Sequence, residues 1–357
     1  MRLALTGLSC ACALGRTNEE VLAGLRRGVS PLKPISGDIP GRTILFGSVP
    51  GELPAIDDPE YDFRSCRLLL HAVRSASGTF ERFVSRYGPD RVAIILGASN
   101  TGIDEAQSFV DSWLDTGAKP SAMRFSMIEL GTPADYLAGL LGVTGPAFVV
   151  STACSSGAKA FASARRLIEA GVVDAAVVGG VDGRCRFAMN GFHSLGALSE
   201  GLCRPLAPDR DGINLGEGVA LFTMEKSGSG PFFAGVGESS DAYHQTSPDP
   251  EGRGAETAMR AALADASLSP SGISYLNLHG TGTIANDEME MKAVRRVFGH
   301  SFASCESTKP LTGHCLGAAG AVEAAICWLK ITSGDVRGPA LSNSFAFGGS
   351  NASIVLV

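Results

Sequence analysis

Aromatic and charged residues are scarce in this 357-residue chain, at 7% and 18%, and there are only 2 tryptophans. With 45% apolar residues, that balance excludes a disordered polyelectrolyte and fits a densely packed globular protein. A basic excess is also missing. The net charge is −6, which gives no reason to expect a nucleic-acid partner. No apolar run approaches the ~20 residues of a membrane span. The opening Met1-Arg2-Leu3-Ala4-Leu5-Thr6-Gly7 reads as a core strand without the layout of a secretory leader. No membrane partner and a cytoplasmic setting are therefore expected. The 9 cysteines form no regular framework, and Cys10-Ala11-Cys12 has no matching second pair, so no metal is expected. All but Cys154 read as reduced, buried, small hydrophobes.

What is plentiful is glycine, 45 residues of it, punctuating strand-like runs that alternate with helix-like ones. Strands are predicted at 3–5, 92–96, 148–150, 175–178, 219–224, 275–278 and 353–357. Helices are predicted at 18–27, 158–170, 256–266, 287–298 and 318–331. This alternation argues for α/β layers. A strand–loop–helix unit around Cys154 has the same grammar as one running from Phe302 through Lys309 and His314, which suggests a duplicated fold. The turn-rich 226–235 stretch is the candidate junction, dividing the chain into an N-terminal half, 1–225, and a C-terminal half, 226–357.

Cys154 follows an apolar strand and opens a helix, a position where the helix end favours a thiolate and lowers a cysteine pKa. His279, in His-Gly-Thr-Gly-Thr, and His314, in Lys-Pro-Leu-Thr-Gly-His, are set among small residues that let a ligand approach. Neutral imidazoles donating from Nε2 suit the holding of an enolate oxygen. Lys309 and Glu323 read as a buried ion pair, because an unpaired buried charge is costly. Gly348 and Gly349 after Phe347 allow a backbone amide to turn into a cavity. His71, His193, His244 and His300 carry no such surroundings and read as surface or core residues.

These motifs resemble the β-ketoacyl-[acyl-carrier-protein] synthases of the elongating Cys-His-His type, in the thiolase superfamily. The resemblance rests on Thr-Ala-Cys-Ser-Ser-Gly-Ala at 152–158, Arg-Pro and Arg-Asp-Gly with Gly-Glu-Gly across 204–218, and Ser-Asp-Ala-Tyr-His-Gln-Thr at 240–246. It continues through His-Gly-Thr-Gly-Thr and Asn-Asp-Glu-Met-Glu at 279–290, Gly-His-Cys-Leu-Gly-Ala-Ala-Gly at 313–320 and Asn-Ser-Phe-Ala-Phe-Gly-Gly-Ser-Asn at 343–351. It implies a thiolase-like five-layer αβαβα sandwich of two pseudo-symmetric halves. It also implies decarboxylative Claisen condensation of an acyl-enzyme thioester with malonyl-[acyl-carrier protein], in fatty-acid or polyketide synthesis. By position, Cys154 would take the acyl group, and His279 and His314 would hold the malonyl thioester. Lys309 and Glu323 would support them, and the amides of Cys154 and Phe347 would form an oxyanion hole. Thr281 and Thr283 would bind the phosphopantetheine arm, Gly102, Ile103 and Phe192 would line the acyl pocket, and Phe347 would gate it.

No cofactor bound by the enzyme is implied beyond the carrier's phosphopantetheine. The implied partners are acyl-carrier protein and a second subunit, either an identical copy or a related synthase-like chain. The chain is shorter than is usual in that family, with losses near 37–90 and 226–235, and Gly196 stands where relatives often carry arginine. Arg64, Arg67, Lys119 and Arg124 are the basic candidates for docking an acidic carrier protein. The competing readings are a non-condensing chain-length-type subunit and a thiolase-superfamily acyltransferase using coenzyme A thioesters. The intact Cys154 argues against the first, and the Gly-His314 loop against the second.

Overall fold

The computed structural model describes residues 1–118, 120, 122–299 and 305–357. The first half supplies strands β1 (Leu3–Cys12), β2 (Lys33–Ile39), β3 (Arg42–Gly47), β4 (Val92–Gly97), β5 (Ala147–Val150), β6 (Ala175–Asp182), β7 (Leu215–Gly216) and β8 (Gly218–Glu225). The second supplies β9 (Phe232–Ser240), β10 (Tyr275–Asn277), β11 (Cys305–Glu306), β12 (Ala340–Phe345) and β13 (Ser350–Leu356). Ten of these form one sheet in the order β11-β10-β12-β13-β9-β1-β8-β6-β4-β5, while β2, β3 and β7 form a separate three-stranded cap.

The long sheet is two five-stranded sheets with the same plan. In the first, β4 pairs parallel with β5 and β6, β6 antiparallel with β8, and β8 antiparallel with β1. In the second, β10 pairs parallel with β11 and β12, β12 antiparallel with β13, and β13 antiparallel with β9. The two meet through only two residue pairs, Leu3 with Phe233 and Ala4 with Phe232.

Two helices, Ser156–Glu169 and Ala319–Thr332, are packed between the sheets. Their shared core takes Ile95 and Val178 from one sheet, Ile354 and Phe233 from the other, and Phe161, Ala321 and Ala325 from the helices themselves. A second core joins the outer face of the first sheet to the helices Arg64–Ser75 and Thr132–Leu141. A third joins the second sheet to Arg253–Ala266 and Ile284–Phe298. Five alternating layers result. At ~25 cal/mol per Å² of apolar surface, the doubly covered strands are where most of the burial free energy resides.

The central helices cross at glycine. A Cβ on Gly157 would come within 2.6 Å of the Ala321 nitrogen, and one on Gly320 within 2.6 Å of the Ala158 nitrogen. The crossing is thus as symmetric as the sheets, and it draws both helix N-termini together.

Local signals explain the ends of elements. Helix Asn18–Arg27 begins at Thr17, whose hydroxyl accepts from the Glu20 amide, and stops at Gly28 with φ 64°. β9 starts at Phe232, so the turn between the halves is shorter than 226–235, and β9, β12 and the cap strands were not predicted. Residues 302–304, where an echoing strand was expected, lie outside the described residues; β11 begins at Cys305. Among the described residues, no helix is long and apolar enough to cross a membrane.

Candidate functional site

Cys154 sits at a sharp corner between β5 and the helix Ser156–Glu169. The preceding Ala153 takes φ 52°, a left-handed conformation strained for a side-chain-bearing residue. Serines hold the corner: the Thr152 amide donates to Ser156 Oγ at 2.8 Å, and Ser155 Oγ donates to the Thr152 carbonyl at 2.9 Å. Ser155 Oγ also reaches Ser350 Oγ at 3.0 Å, tying the corner to β13 of the other half.

His279 leaves the end of β10. Its amide and that of Gly280 donate to the carboxylate of Glu290 at 2.8 and 2.7 Å, and Asn343 Nδ2 donates to the same group at 3.1 Å. Glu290 is fully buried, and burial raises its pKa to about 7 against the pull of those donors. His314 lies in the loop leading to the helix Ala319–Thr332. Its amide donates to the Asn214 carbonyl at 2.8 Å, and its carbonyl accepts from the Gly216 amide at 3.0 Å. The loop is thereby stitched to β7 of the cap.

The three side chains converge. His314 Nε2 is 2.9 Å from Cys154 Sγ. The rings of His279 and His314 stand edge-to-face with centroids 5.3 Å apart. The sulfur and one nitrogen from each ring all lie within 4.8 Å of one another. Lys309 is fully buried, ion-paired with Glu323 at 2.5 Å, and donates to the His279 carbonyl. Its Nζ is 3.5 Å from His279 Nδ1. An ammonium only donates, so Nδ1 is the acceptor and the ring proton sits on Nε2.

Burial pushes both imidazoles well below their ordinary pKa, with the Lys309 charge adding to the effect, so both rings are neutral. Burial pushes the Cys154 thiol up to about 12, against the pull of the Lys309 charge, so the thiol is protonated at rest.

These side chains open into a cavity of about 350 Å³ whose lining includes Cys154, Phe192, His279, Thr281, Thr283, His314 and Phe347. The hydroxyls of Thr281 and Thr283 are 2.8 Å apart. Phe347 stacks on Phe192 in that lining, with centroids at 5.4 Å and planes 26° apart. Gly348 follows with φ 77°. Gly196 also lines the cavity.

Gly102 and Ile103 are not part of this lining: Gly102 donates to the Met127 carbonyl at 2.8 Å, and Ile103 starts the helix Ile103–Thr116. Of the basic docking candidates, Arg64 pairs with the wholly buried Glu217, with Nη2 to Oε1 at 2.5 Å, while its side chain stays 35% exposed. Arg67 pairs with Asp62 through two bonds of 2.6 Å, and Arg124 with Glu60 at 3.1 Å. Lys119 lies outside the described residues.

Two site residues escaped the sequence reading. Glu290 belongs to the Asn-Asp-Glu-Met-Glu motif, but nothing local shows that it reaches the His279 amide. Asp182 ends the otherwise apolar β6 and is fully buried. A carboxylate closing an apolar strand was the available signal.

Comparison with known proteins agrees with this geometry. The family model for the β-ketoacyl synthase N-terminal domain matches residues 64–228, and that for the C-terminal domain matches 232–339. Nodulation protein E of Rhizobium leguminosarum bv. trifolii is 34% identical over 400 aligned positions, 98% of each chain. The 3-oxoacyl-[acyl-carrier-protein] synthase 2 of a Synechocystis species is 30% identical, over 99% of this chain and 97% of its own. Among solved structures, a chain of the complex described as a ketosynthase (ApeO) with its chain length factor (ApeC), from Xenorhabdus doucetiae, superposes with a TM-score of 0.93. It is 40% identical, covering 99% of this chain and 97% of its own. With both halves of the fold matched and the cysteine–imidazole cluster between them, the chain belongs to the β-ketoacyl synthase family of condensing acyltransferases.

Proposed function

We propose that the chain condenses a Cys154-bound acyl group with malonyl-[acyl-carrier protein], releasing carbon dioxide and 3-oxoacyl-[acyl-carrier protein]. The observation that carries this reading is the 2.9 Å contact between Cys154 Sγ and His314 Nε2, with the His279 ring alongside. First, the sulfur of Cys154 attacks the acyl thioester carbonyl, the carbon–sulfur bond to the carrier breaks, and the departing carrier thiolate takes up the thiol proton. Next, the malonyl carbon–carboxylate bond breaks, and its electron pair becomes an enolate whose oxygen accepts hydrogen bonds from the two imidazoles. The enolate carbon then attacks the Cys154 thioester. A carbon–carbon bond forms, the carbon–sulfur bond breaks, and the departing sulfur takes a proton from solvent.

In this reading Lys309 and Glu323 keep His279 in the tautomer that donates into the cavity. The Cys154 and Phe347 amides serve as the oxyanion hole, and Thr281 and Thr283 hold the phosphopantetheine arm. Phe192 and Phe347 border the acyl chain. Gly102 and Ile103 would take part only if the acyl channel runs past the described cavity toward a partner subunit. Substrates arrive on carrier-protein phosphopantetheine, and we assign no other cofactor. All nine cysteines are free thiols, in keeping with a reducing, cytoplasmic setting. We place the boundary between the halves at 225/226. The partner we assign is a chain of the same fold, as in the ketosynthase–chain length factor complexes that this chain resembles. Arg64, Arg67 and Arg124 remain docking candidates that would exchange intramolecular carboxylates for those of the carrier.

Incubation with a panel of acyl-carrier proteins, followed by mass spectrometry, tests the proposal. An acyl mass should stay on Cys154 and leave as 3-oxoacyl carrier when malonyl carrier is added. Absence of any acyl mass on Cys154 across the panel would sink it.

A further inference from the structure

We propose that Asp182 is a positioning residue that fixes the His314 loop across the two halves of the fold. Its carboxylate is wholly buried and collects donors from two distant segments. The Ser99 amide reaches it at 3.0 Å, Ser99 Oγ at 2.9 Å and the Asn100 amide at 2.7 Å, all from the turn after β4. The Gly317 amide, three residues beyond His314, reaches it at 2.6 Å. Gly317 is pressed so close that a Cβ there would stand 2.6 Å from the Ser99 nitrogen and 2.7 Å from Asp182 Oδ2.

The fold explains why a carboxylate belongs here. Glu290 closes the two amides at the end of β10, beneath His279. Asp182 closes the two amides at the topologically equivalent end of β4, and adds the one from the His314 loop. Each half thus seals the end of its second strand with a buried acid. Asp182 differs in that its hold crosses from one half to the other. Burial raises its pKa to about 7 despite its donors. The charges acting on the Cys154 thiol are Lys309, which favours the thiolate, and Glu323 and Asp182, which oppose it. Asp182 acts on Cys185 in the same sense.

The inference rests on the condensing reading for its kinetics but not for its chemistry, because the thiol can be followed alone. Asp182→Asn removes the charge and turns an amide against the facing N–H donors. Misplacing the loop should lower kcat about tenfold or more, leaving KM for acyl carrier within about threefold. Because His314 Nε2 stands 2.9 Å from the sulfur, displacing the loop should also change the rate of Cys154 alkylation by iodoacetamide at fixed pH about threefold. Ser99→Ala, which removes one donor and leaves the carboxylate in place, should lower kcat about threefold. It keeps the idea testable if the Asn variant does not fold. An unchanged kcat in either variant, or an unchanged alkylation rate in Asp182→Asn, overturns the proposal. A wild-type chain that is alkylated at Cys154 but never condenses would count against the function and leave the alkylation comparison valid.

Discussion

At the scale of single residues, a protonated thiol and two neutral imidazoles divide the work. Cys154→Gln should abolish acyl loading while keeping, or raising, decarboxylation of malonyl carrier, since the imidazoles remain and an uncharged amide replaces the thiol. Carbon dioxide release no faster than in a His279→Ala, His314→Ala double variant would contradict this. Because the His314 ring is one of the two donors to the enolate, His314→Ala should slow decarboxylation about 100-fold while Cys154 can still be acylated. Retained decarboxylation in that variant would contradict this. Cys154, His279, His314 and the Lys309–Glu323 pair were legible in the chain because small residues flank them and a lone buried lysine demands a carboxylate. The Arg64–Glu217 pair was hidden for a matching reason: the partners are 153 positions apart, and an arginine with a remote partner looks like an unpaired one.

At the scale of elements, the glycine crossing of the central helices is the decisive contact. Gly320→Val would drive a branched side chain into Ala158 and the Ser344 hydroxyl, which a bare Cβ would already approach to 3.0 Å or less. Overpacking of this kind costs about 1–3 kcal/mol. It should also separate the two helix starts, so activity should fall further than stability alone explains. A stability loss under 0.5 kcal/mol by urea titration, roughly the range of neutral surface changes, would show that the layer yields easily. The doubly buried strands were easy to read from their unbroken apolar runs. β12 was not, because Ser342, Asn343 and Ser344 interrupt it with polar groups that are satisfied only by tertiary partners such as Glu290 and Ser353. The cap strands, partly exposed and short, carry little pattern to detect.

At the scale of the whole molecule, the buried acids and the histidines pull stability in opposite directions with pH. Asp182 and Glu290 have pKa values raised to about 7, from ordinary values of 3.8 and 4.5. Between those limits the folded chain binds more protons than the unfolded one, so their contribution grows as pH falls. His279 and His314 are depressed below 6.5, so the unfolded chain binds more protons there and their contribution shrinks as pH falls. Removing one acid unbalances the pair. Asp182→Asn should lose stability faster than wild type on acidification from pH 7 to 4.5, by up to about 1.4 kcal/mol per pH unit. Parallel stability–pH curves from denaturant titrations would refute that linkage.

The two sheets share one plan, yet the sulfur comes from one repeat and both rings from the other. Reactivity therefore belongs to neither copy and exists only at the seam. A small molecule wedged between the central helix starts could silence the protein without occupying any substrate pocket, by prising the repeats apart.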